Sequence, residues 1–473
     1  MTHEPRPARR SLPWLLAALS MIGPFSIDAV FPAFPLIGAR FAVDAAALQQ
    51  LVSVYLLTYA VMSLFHGAIS DAAGRRPVIV GGMLVYALAS GGAALAGSFG
   101  MLLACRALQG ACAGAGLVVG RAVVRDTYDG AEAQRLMSRV MMIFGVAPVI
   151  APMVGAQLLR LGGWHGIFWV LLGFSALLAL LLQALLAESH PPPRRTPFSP
   201  RRLLAGYLAF GRDRPFWPLL VSCSVNFAAL FLYIASAPRI VRELLGLSAQ
   251  GFPWLFLPVV TGLVGGAWLS GRLAGRRGVR FTVNLGYAAM GLACALHLAA
   301  AWLFPRGALP WSMLPLMLQG VGVQLAFPTL TLLLLDRFPA QRGGASAVQA
   351  FASLLLNAAV AGVLSPLLSG RMLPLACGAT VLTALGALAW RRYLRLPHRL
   401  PAQPMPRDTA PRCRRRSSSR TERAAPARPR PAGAAESREP DPLSPRAGAV
   451  VGPVRGLRPR RLRACSRSPS IPP

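Results

Sequence analysis

Twelve long apolar stretches run through the chain, each close to the twenty or so residues that a helix needs to cross a lipid bilayer. Charged residues make up 14% of the sequence and hydrophobic residues 54%, whereas soluble domains carry about 25% charged residues. Because lipid offers the backbone no hydrogen bonds, such stretches must be helical. The sequence therefore predicts an all-α polytopic membrane protein. The predicted spans cover residues 13–37, 48–66, 78–97, 101–124, 136–160, 164–187, 215–238, 251–271, 281–303, 309–333, 345–369 and 372–390.

The arginines between these stretches are distributed unevenly and predict which loops face the cytoplasm. Every basic residue is an arginine, and one alternate set of loops carries about three times as many as the other. The rich set includes the loops after the second, sixth and eighth spans, so we expect both termini to be cytoplasmic. Roughly 20 of the 49 arginines follow residue 390, and the same asymmetry explains the basicity of the first 390 residues, so the net charge of +33 does not lead us to expect a nucleic-acid partner.

One long polar segment divides the predicted spans into two sets of six. We expect an N-terminal six-helix half at residues 1–187, a basic cytoplasmic linker at 188–214 and a C-terminal six-helix half at 215–397. Residues 398–473 are rich in arginine, proline and serine and carry too little apolar surface to form a core, so we expect a disordered tail. Binding of this tail to anionic lipid is the alternative.

A short charged loop, GAISDAAGRRP, joins the second and third spans. It contains Gly67, Asp71 and Gly74, followed by Arg75 and Arg76. A turn this short makes the two spans antiparallel neighbours. Asp71 is placed to accept hydrogen bonds from a neighbouring helix start and from Arg75, which would stabilise one conformation of the protein. An ordinary surface turn is the alternative.

Two ionisable residues lie deep inside predicted spans, where such residues are rare and are candidates for function. Asp28 lies in the first span, about 14 Å from its outer end, and Arg106 lies in the fourth, about 8–9 Å from its outer end. Their similar depths predict that both face one cavity, where Asp28 takes up and releases a proton as access alternates. A static buried ion pair between the two spans is the alternative.

Other polar residues in the spans are candidates for the lining of that cavity. They are Gln109 and Arg121 in the fourth span and Asn226, Gln324 and Asn357 in the second half. Polar side chains in membrane spans also join helices to one another, so packing is the alternative for each of them.

The fifth span contains helix-bending residues. They are Gly145, Pro148, Pro152 and Gly155. Since proline and glycine bend membrane helices, this span could act as a gate. Ordinary close packing of helices is again the alternative.

Several other kinds of chemistry have no sequence signal. The chain contains no P-loop, nucleophile elbow, metal-binding motif or dinucleotide fingerprint. Its seven cysteines are scattered, and they are expected to be free thiols inside apolar segments and in the tail. We therefore expect no enzyme activity, no cofactor and no metal.

The motifs, taken in order, resemble the Major Facilitator Superfamily and more narrowly the Bcr/CflA group of twelve-span drug:proton antiporters. Four parts of the first half carry the resemblance: DAVFPAFP, LQQLVSVYLLTYA leading into GAISDAAGRRP, RALQGACAGAG, and RAVVRDTYDG followed by VAPVIAPMVGAQL. They cover roughly residues 13–190. The second half matches in the number and length of its spans.

The resemblance implies roles for particular residues. It implies that Asp28 and Arg106 couple proton movement to transport and that the charged loop at 67–77 controls gating. It also implies an antiporter helix, formed by Pro148, Pro152 and Gly155. The sequence departs from the family pattern at Ala72, where a basic residue is usual, and at Val30-Phe31, which replaces an aromatic-aliphatic pair.

The function expected from the residues and the resemblance together is export. A monomer in the bacterial inner membrane would move small amphipathic, drug-like molecules outward in exchange for protons. Export of a natural metabolite, such as an amino acid or a siderophore-like compound, is the first alternative. A membrane sensor that transports nothing is the second.

Overall fold

The computed structural model describes residues 8–128, 130–273 and 277–396, and every regular element in these ranges is helical. The tail expected at 398–473 lies outside the described residues. The first half and the linker contain α1 (Ala8–Asp28), α2 (Phe34–Phe41), α3 (Ala45–Ala73), α4 (Arg75–Ala94), α5 (Phe99–Gly114), α6 (Gly120–Thr127), α7 (Gly130–Leu185) and α8 (Pro200–Gly211). The second half contains α9 (Phe216–Ala235), α10 (Ala237–Arg239), α11 (Pro253–Leu273), α12 (Val279–Leu303), α13 (Pro315–Asp336), α14 (Arg342–Ala359), α15 (Ser365–Leu368) and α16 (Met372–Arg395).

Ten helical stretches of the described chain are long and apolar enough to cross a membrane. The predicted fifth and sixth spans fall together in α7, which is 56 residues long. The predicted fourth span is not among the ten: it is split into α5 and α6 by a π-helical segment, Ala115–Val119, and carries Arg106 and Arg121. The all-α polytopic class is confirmed, whereas the count of twelve spans and the cytoplasmic termini stay predictions.

The first span is longer than predicted and is interrupted. It runs over Leu12–Phe41, whereas the apolar pattern gave 13–37. α1 ends at Asp28, and a 3-10 turn at Phe31–Ala33 connects it to α2. Pro32 lies in this turn and lacks the N–H that a continuous α-helix would use. The interruption leaves Asp28 at a helix end inside a membrane-spanning stretch.

The long helix α7 is broken at one point. Its backbone leaves helical values at Gly162 and at Gly163, where φ is 63°, a conformation that glycine adopts without strain. This break lies between the predicted fifth and sixth spans, 136–160 and 164–187. The chain stays helical through Pro148 and Pro152, so the bend expected there does not interrupt the helix.

The predicted linker at 188–214 contains a helix, α8, which the sequence analysis did not predict. Pro200 is its first residue, a position where the missing N–H of proline costs no hydrogen bond. Leu203, Tyr207 and Phe210 follow at helical spacing, and Phe210 is buried. The compositional signals of proline and arginine hid this short amphipathic pattern.

In each half, one helix packs on two neighbouring helices, and a second pair of helices packs together. In the first half α7 packs on α1 and α4, and α3 packs on α5. In the second half α13 packs on α11 and α12, and α9 packs on α16. The halves meet where α3 contacts α14 and where α7 contacts α11. The candidate residues of the fourth span therefore lie inside the first half, one helix away from this contact.

Candidate functional site

Arg106 is the centre of a buried hydrogen-bond cluster in the first half. Its side chain is fully buried on α5. Nε donates to the carbonyl oxygen of Leu51 on α3 at 3.1 Å, and Nη1 donates to Oγ of Ser26 on α1 at 2.8 Å and to Oε1 of Gln109 at 2.9 Å. The guanidinium also lies 4.5 Å from the ring centroid of Tyr55, a cation–π distance. Arg106 therefore joins α1, α3 and α5.

Gln109 extends this cluster to a fourth helix. Its Nε2 donates to Oγ of Ser90 on α4 at 2.7 Å. Arg106 and Gln109 lie three residues apart on one face of α5 and bind each other directly, and their other contacts are with neighbouring helices. The Nη2 atom of Arg106 is buried without a hydrogen-bond partner.

The positive charge of Arg106 is not compensated by an acid. Its acceptors are carbonyl, hydroxyl and amide oxygens, and none of its described contacts is a carboxylate. Burying an unpaired charge costs several kcal/mol even where hydrogen bonds remain. A cost of this size, borne inside a membrane span, is typical of a functional residue.

Asp28 is the second buried charge, and it does not pair with Arg106. Its side chain is 4% exposed at the last position of α1, and within the described chain no hydrogen bond or ion pair reaches its carboxylate. Ser26, which binds Arg106, lies two residues earlier, and residues two apart on a helix point to different sides. The static ion pair considered from the sequence is therefore not formed in this conformation.

The helix of predicted gating residues passes close to Asp28. A side chain at Gly155 of α7 would collide with the carbonyl oxygen of Ala29, so only glycine permits this approach of α7 to the end of α1. Pro152, one turn earlier on α7, is buried. Gly145 and Pro148 also lie in α7, but their surroundings are outside the described part of the structure. The backbone of α7 thus lies against the break that carries Asp28.

The charged loop between α3 and α4 is a compact ion-pair cluster. Gly74 has a φ of 104°, which favours glycine and makes the turn between the two helices possible. Arg75 is 8% exposed and pairs with Asp71 at 2.5 Å and with Asp126 at 3.0 Å. It also donates to Oγ of Ser70 at 2.5 Å. The expected bond between Arg75 and Asp71 is present, and Asp126 at the end of α6 adds a second acid.

Glu188 binds the start of α4, the position expected for Asp71. Its carboxylate accepts from the backbone N–H of Arg75 at 2.9 Å and of Arg76 at 3.2 Å. The Arg76 side chain reaches the carbonyl oxygen of Gln183 on α7. Gly67, one turn before Asp71, has open space where a side chain would be. The loop is thereby attached to the end of α7 as well as to α6.

Sequence reasoning missed Asp126 and Glu188. Each lies at the predicted cytoplasmic end of a long apolar stretch, and an acid at that position is available to bind arginine or an exposed helix N-terminus. That positional signal was present in the sequence. The sequence did not show which residues these acids bind, since Glu188 lies 113 residues from Arg75 along the chain.

The remaining cavity candidates do not form one cluster. Arg121 is exposed and lines a small recess together with Leu16 and Ser20. Asn226 is buried on α9, with its Nδ2 3.9 Å from the sulfur of Met290 and its Oδ1 unpaired. The cavity volume of this recess is about 10 Å³, far below the 300–1,000 Å³ typical of drug-sized pockets.

Two further candidates lie in the second half. Asn357 is buried on α14 with an unpaired Oδ1, and Gln324 is half-buried on α13 beside Gly266 of α11. Among the described residues, no group of three or more His, Cys, Asp or Glu side chains could hold a metal ion. The cavity candidates of the second half, Asn226, Gln324 and Asn357, are thus neutral amide side chains rather than charged groups.

The two halves are joined by side chains at the start of α3, which is the outer side in the predicted topology. Three side chains of α3 donate to backbone carbonyl oxygens of the second half. These hydrogen bonds are Gln49 Nε2 to Ala235 at 2.8 Å, Gln50 Nε2 to Gly362 at 3.1 Å and Ser53 Oγ to Ala358 at 2.8 Å. A π-helical segment, Val360–Leu364, occupies this part of the second half, and such segments leave carbonyl groups with irregular helical hydrogen bonds. These bonds hold the outer ends of the halves together. We call these three bonds the outer contact.

Comparison with known proteins gives the family. Residues 16–362 match the family model described as Major Facilitator Superfamily. The chain is 30% identical over 363 residues to the uncharacterized MFS-type transporter YdgK of Bacillus subtilis, covering 76% of this chain and 90% of that protein. It is 29% identical to multidrug resistance protein D of Escherichia coli, with 71% and 83% coverage. It is 28% identical to a chloramphenicol resistance protein of Pseudomonas aeruginosa, with 66% and 73% coverage.

Solved structures support the same fold. A bacterial homolog of the human lysosomal transporter Spinster, in an inward-facing and occupied conformation, aligns with a TM-score of 0.64 at 17% identity. The alignment covers 83% of this chain and 97% of that structure. The human organic anion transporter MFSD10 aligns with a TM-score of 0.60 at 21% identity, covering 82% and 100%. The resemblance to a drug-resistance group is confirmed by the names of the relatives, and the chain belongs to the Major Facilitator Superfamily as a multi-pass membrane transporter.

Proposed function

We propose that this protein exports drug-like molecules across the bacterial inner membrane in exchange for protons. Relatives named for multidrug and chloramphenicol resistance support the substrate class. The observation that carries the proton coupling is the pair of buried, opposite charges in the first half that do not neutralise each other, Asp28 and Arg106. A transporter needs a buried group whose charge changes during the cycle, and Asp28 is suited to that role.

Asp28 is the proton carrier in this proposal. It binds a proton when it is accessible from the acidic outer side and releases it toward the cytoplasm after the halves have changed orientation. Neutral Asp28 removes an uncompensated charge from the break between α1 and α2, and this lowers the free energy of one orientation relative to the other. Substrate is carried outward in the other reorientation step of the cycle.

Arg106 transmits this change to the neighbouring helices. Asp28 and Ser26 are on the same helix, so a shift of the end of α1 moves the hydroxyl that Arg106 binds. Because Arg106 also binds Leu51 on α3, the shift reaches the helix that forms the outer contact. The coupling path we propose therefore runs from α1 through α5 to α3.

The loop between α3 and α4 controls exchange between conformations rather than substrate affinity. Its ion pairs lie at the predicted cytoplasmic surface, away from the level of Arg106. When the halves open on one side of the membrane, they close on the other. The loop and the outer contact are therefore expected to stabilise opposite conformations of the transporter. Two six-helix halves at 1–187 and 215–397, moving as units around a central site, would produce this behaviour.

A second candidate function is export of a natural anionic metabolite by a monomer of the same architecture. The buried, unpaired Nη2 of Arg106 favours it, because a guanidinium nitrogen is a strong donor to a carboxylate. An amino acid or a siderophore-like compound has such a group. The family assignment replaces the idea of a sensor that transports nothing.

The proposal is tested with purified protein in vesicles that enclose a pH-sensitive dye, with chloramphenicol as the probe. Addition of drug is expected to move protons in the opposite direction, and Asp28→Asn should abolish this exchange while the protein remains inserted. Asp44→Asn is the matched control, since Asp44 is an exposed helix-capping acid and asparagine caps equally well. Normal pH-driven drug transport by Asp28→Asn would overturn the assignment of Asp28.

The metabolite alternative has its own measurement. A deletion strain and a strain with the gene restored would be compared for compounds in the growth medium and for drug resistance. Loss of an anionic compound from the medium, without any change in resistance, would replace the drug substrate by a metabolite.

A further inference from the structure

The linker helix α8 has one face fixed to the rest of the protein. The hydroxyl of Tyr207 donates to the carbonyl oxygen of Leu64 on α3 at 2.5 Å. Burial raises the pKa of Tyr207 to about 12, so this hydroxyl remains a neutral donor at physiological pH. Phe210 lies 5.9 Å from Phe216 of α9 and 4.7 Å from Phe338, measured between ring centroids. This face of α8 therefore contacts both halves.

The opposite face of α8 is apolar and exposed. Leu204 is 59% exposed and Leu208 is 62% exposed, one turn apart on the same side of the helix. Arg201 precedes them by one turn and Arg212 follows by one turn, and both arginines are exposed. An apolar strip between two arginines is the pattern of helices that lie in a membrane interface.

The attachment of Tyr207 fixes the depth of α8. Leu64 lies nine residues before α3 ends at Ala73, which corresponds to about 14 Å along the helix axis. α8 is thus held beside a membrane-spanning helix, short of that helix's predicted cytoplasmic end, rather than out in the cytoplasm. A helix held at this level would have its exposed side against lipid headgroups and the upper parts of acyl chains.

We propose that the exposed face of α8, formed by Arg201, Leu204, Leu208 and Arg212, is a docking surface for anionic phospholipid of the cytoplasmic leaflet. The leucines enter the boundary of the acyl chains, and the arginines bind phosphate groups from either end. Juxtamembrane arginines attract anionic lipid electrostatically. A strip of two leucines is too small for a stable protein interface, which needs about 800 Å² from each partner.

Lipid binding at this surface would influence transport through the other face of α8. Tyr207 and Phe210 contact α3 and the α9–α14 region, which must move relative to each other when the halves change orientation. Lipid that holds α8 in place therefore favours the conformation in which these contacts are made. Anionic lipid should change the rate of exchange more than the affinity for drug.

The first experiment measures the position of α8 directly and does not depend on transport. Ala205→Cys, in a background without the native cysteines, is labelled with a polarity-sensitive fluorophore in vesicles containing phosphatidylglycerol. Thr196→Cys is the matched control in the exposed part of the linker just before α8. Lipids with a spin label near the headgroup are expected to quench the probe at 205 severalfold more than the probe at 196. Equal quenching at both positions would overturn the proposal and leave this face to water or a soluble partner.

The second experiment uses the native cysteines and tests the arginines. Arg201→Gln/Arg212→Gln is compared with wild type in phosphatidylcholine vesicles with and without phosphatidylglycerol, with chloramphenicol as the probe. Wild type is expected to respond to the anionic lipid severalfold, and the variant should lose this response while keeping its rate in phosphatidylcholine. Arg306→Gln/Arg371→Gln, two exposed arginines of the predicted outer loops, should respond like wild type. An unchanged lipid response in the α8 variant would contradict the proposed role of its arginines.

Discussion

The two halves of the transporter bury different kinds of polar group. The first half buries Asp28, Arg75 and Arg106, each less than 9% exposed, whereas the buried polar groups described in the second half are serine, threonine, asparagine, glutamine and His297. The typical second-half arrangement is neutral, as in Gln319, whose Nε2 lies 3.4 Å from the hydroxyl of Thr383. Both halves have the same type of helical scaffold, so the fold alone does not require buried charge.

This difference separates two tasks. A buried charge costs free energy that packing does not return, so in the proposed mechanism the change of charge that drives the cycle takes place in the first half. Neutral polar groups cost less and suit the binding of varied substrates. The outer contact shows the same division, because Gln49, Gln50 and Ser53 of the first half supply side chains and the second half supplies backbone oxygens.

The largest expected effect comes from Arg106→Gln. Hydrogen bonds made by a charged donor are worth about 1.5–3 kcal/mol each, and glutamine cannot reach Ser26, Leu51 and Gln109 together. We expect export to fall at least about tenfold, and proton movement should no longer depend on drug. Arg106→Lys is the control for charge, and it should recover little activity because lysine lacks the planar fork. Full activity of the lysine variant would show that charge alone matters.

A smaller effect is expected where the halves touch. A methyl group at Gly362 would collide with the hydroxyl of Ser53, so Gly362→Ala should weaken the outer contact and shift the protein toward an outer-open state. Gly343→Ala is the matched control on α14, because that glycine has open space around it. Labelling of an outer cysteine by a membrane-impermeant reagent should speed up severalfold in the first variant. Equal labelling of both would argue that the contact does not close the outer side.

Much of the fold followed from the sequence because lipid imposes simple rules. Apolar length identified most of the membrane-spanning stretches, and the break in α7 lies between the predicted fifth and sixth spans. The charged loop revealed Asp71, Gly74 and Arg75, since a tight turn needs a glycine and its ion pair lies within one helical turn. Each of these features depends on residues that are close together in the sequence.

The features that escaped the sequence depend on distant partners. The acceptors of Arg106 include the backbone oxygens of Leu51 and Ser26, which any residue would supply and no pattern encodes. The linker helix α8 is too short for its spacing to stand out among prolines and arginines. The separation of Asp28 from Arg106 arises from the direction of side chains around the end of α1, which similar depths in the membrane do not determine.

Two ion pairs on the predicted cytoplasmic side, one in each half, provide a sharper comparison of the halves. Asp126 pairs with the buried Arg75, whereas Asp336 pairs with Arg342 in a largely exposed position. Asp126→Asn should slow transport severalfold while the affinity for drug changes little, because in our proposal the loop controls exchange between conformations. Asp336→Asn should change transport little, since exposed ion pairs contribute about 0–1 kcal/mol. Similar slowing in both variants, measured as single-turnover export, would remove the proposed asymmetry.

The smallest effect is expected in the neutral half. Asn226 has an unpaired buried Oδ1, so Asn226→Leu removes an unsatisfied group and should leave the protein at least as stable. We expect the apparent KM for drug to change a few-fold while the ratio of protons to drug stays constant. Thermal unfolding in detergent checks the stability. A changed proton ratio would show that the second half also takes part in coupling.

The carboxylate of Glu188 has a consequence for how the chain is made. It completes the first turn of α4 by accepting from Arg75 and Arg76, yet the ribosome adds it 113 residues after Arg75. The hairpin of α3 and α4 must therefore enter the membrane with bare amide groups at its tip. Its final form waits until α7 has been synthesised in full. Translation that stalls before residue 188 would thus leave an inserted hairpin whose turn is not yet fixed, and quality-control proteases could recognise it there.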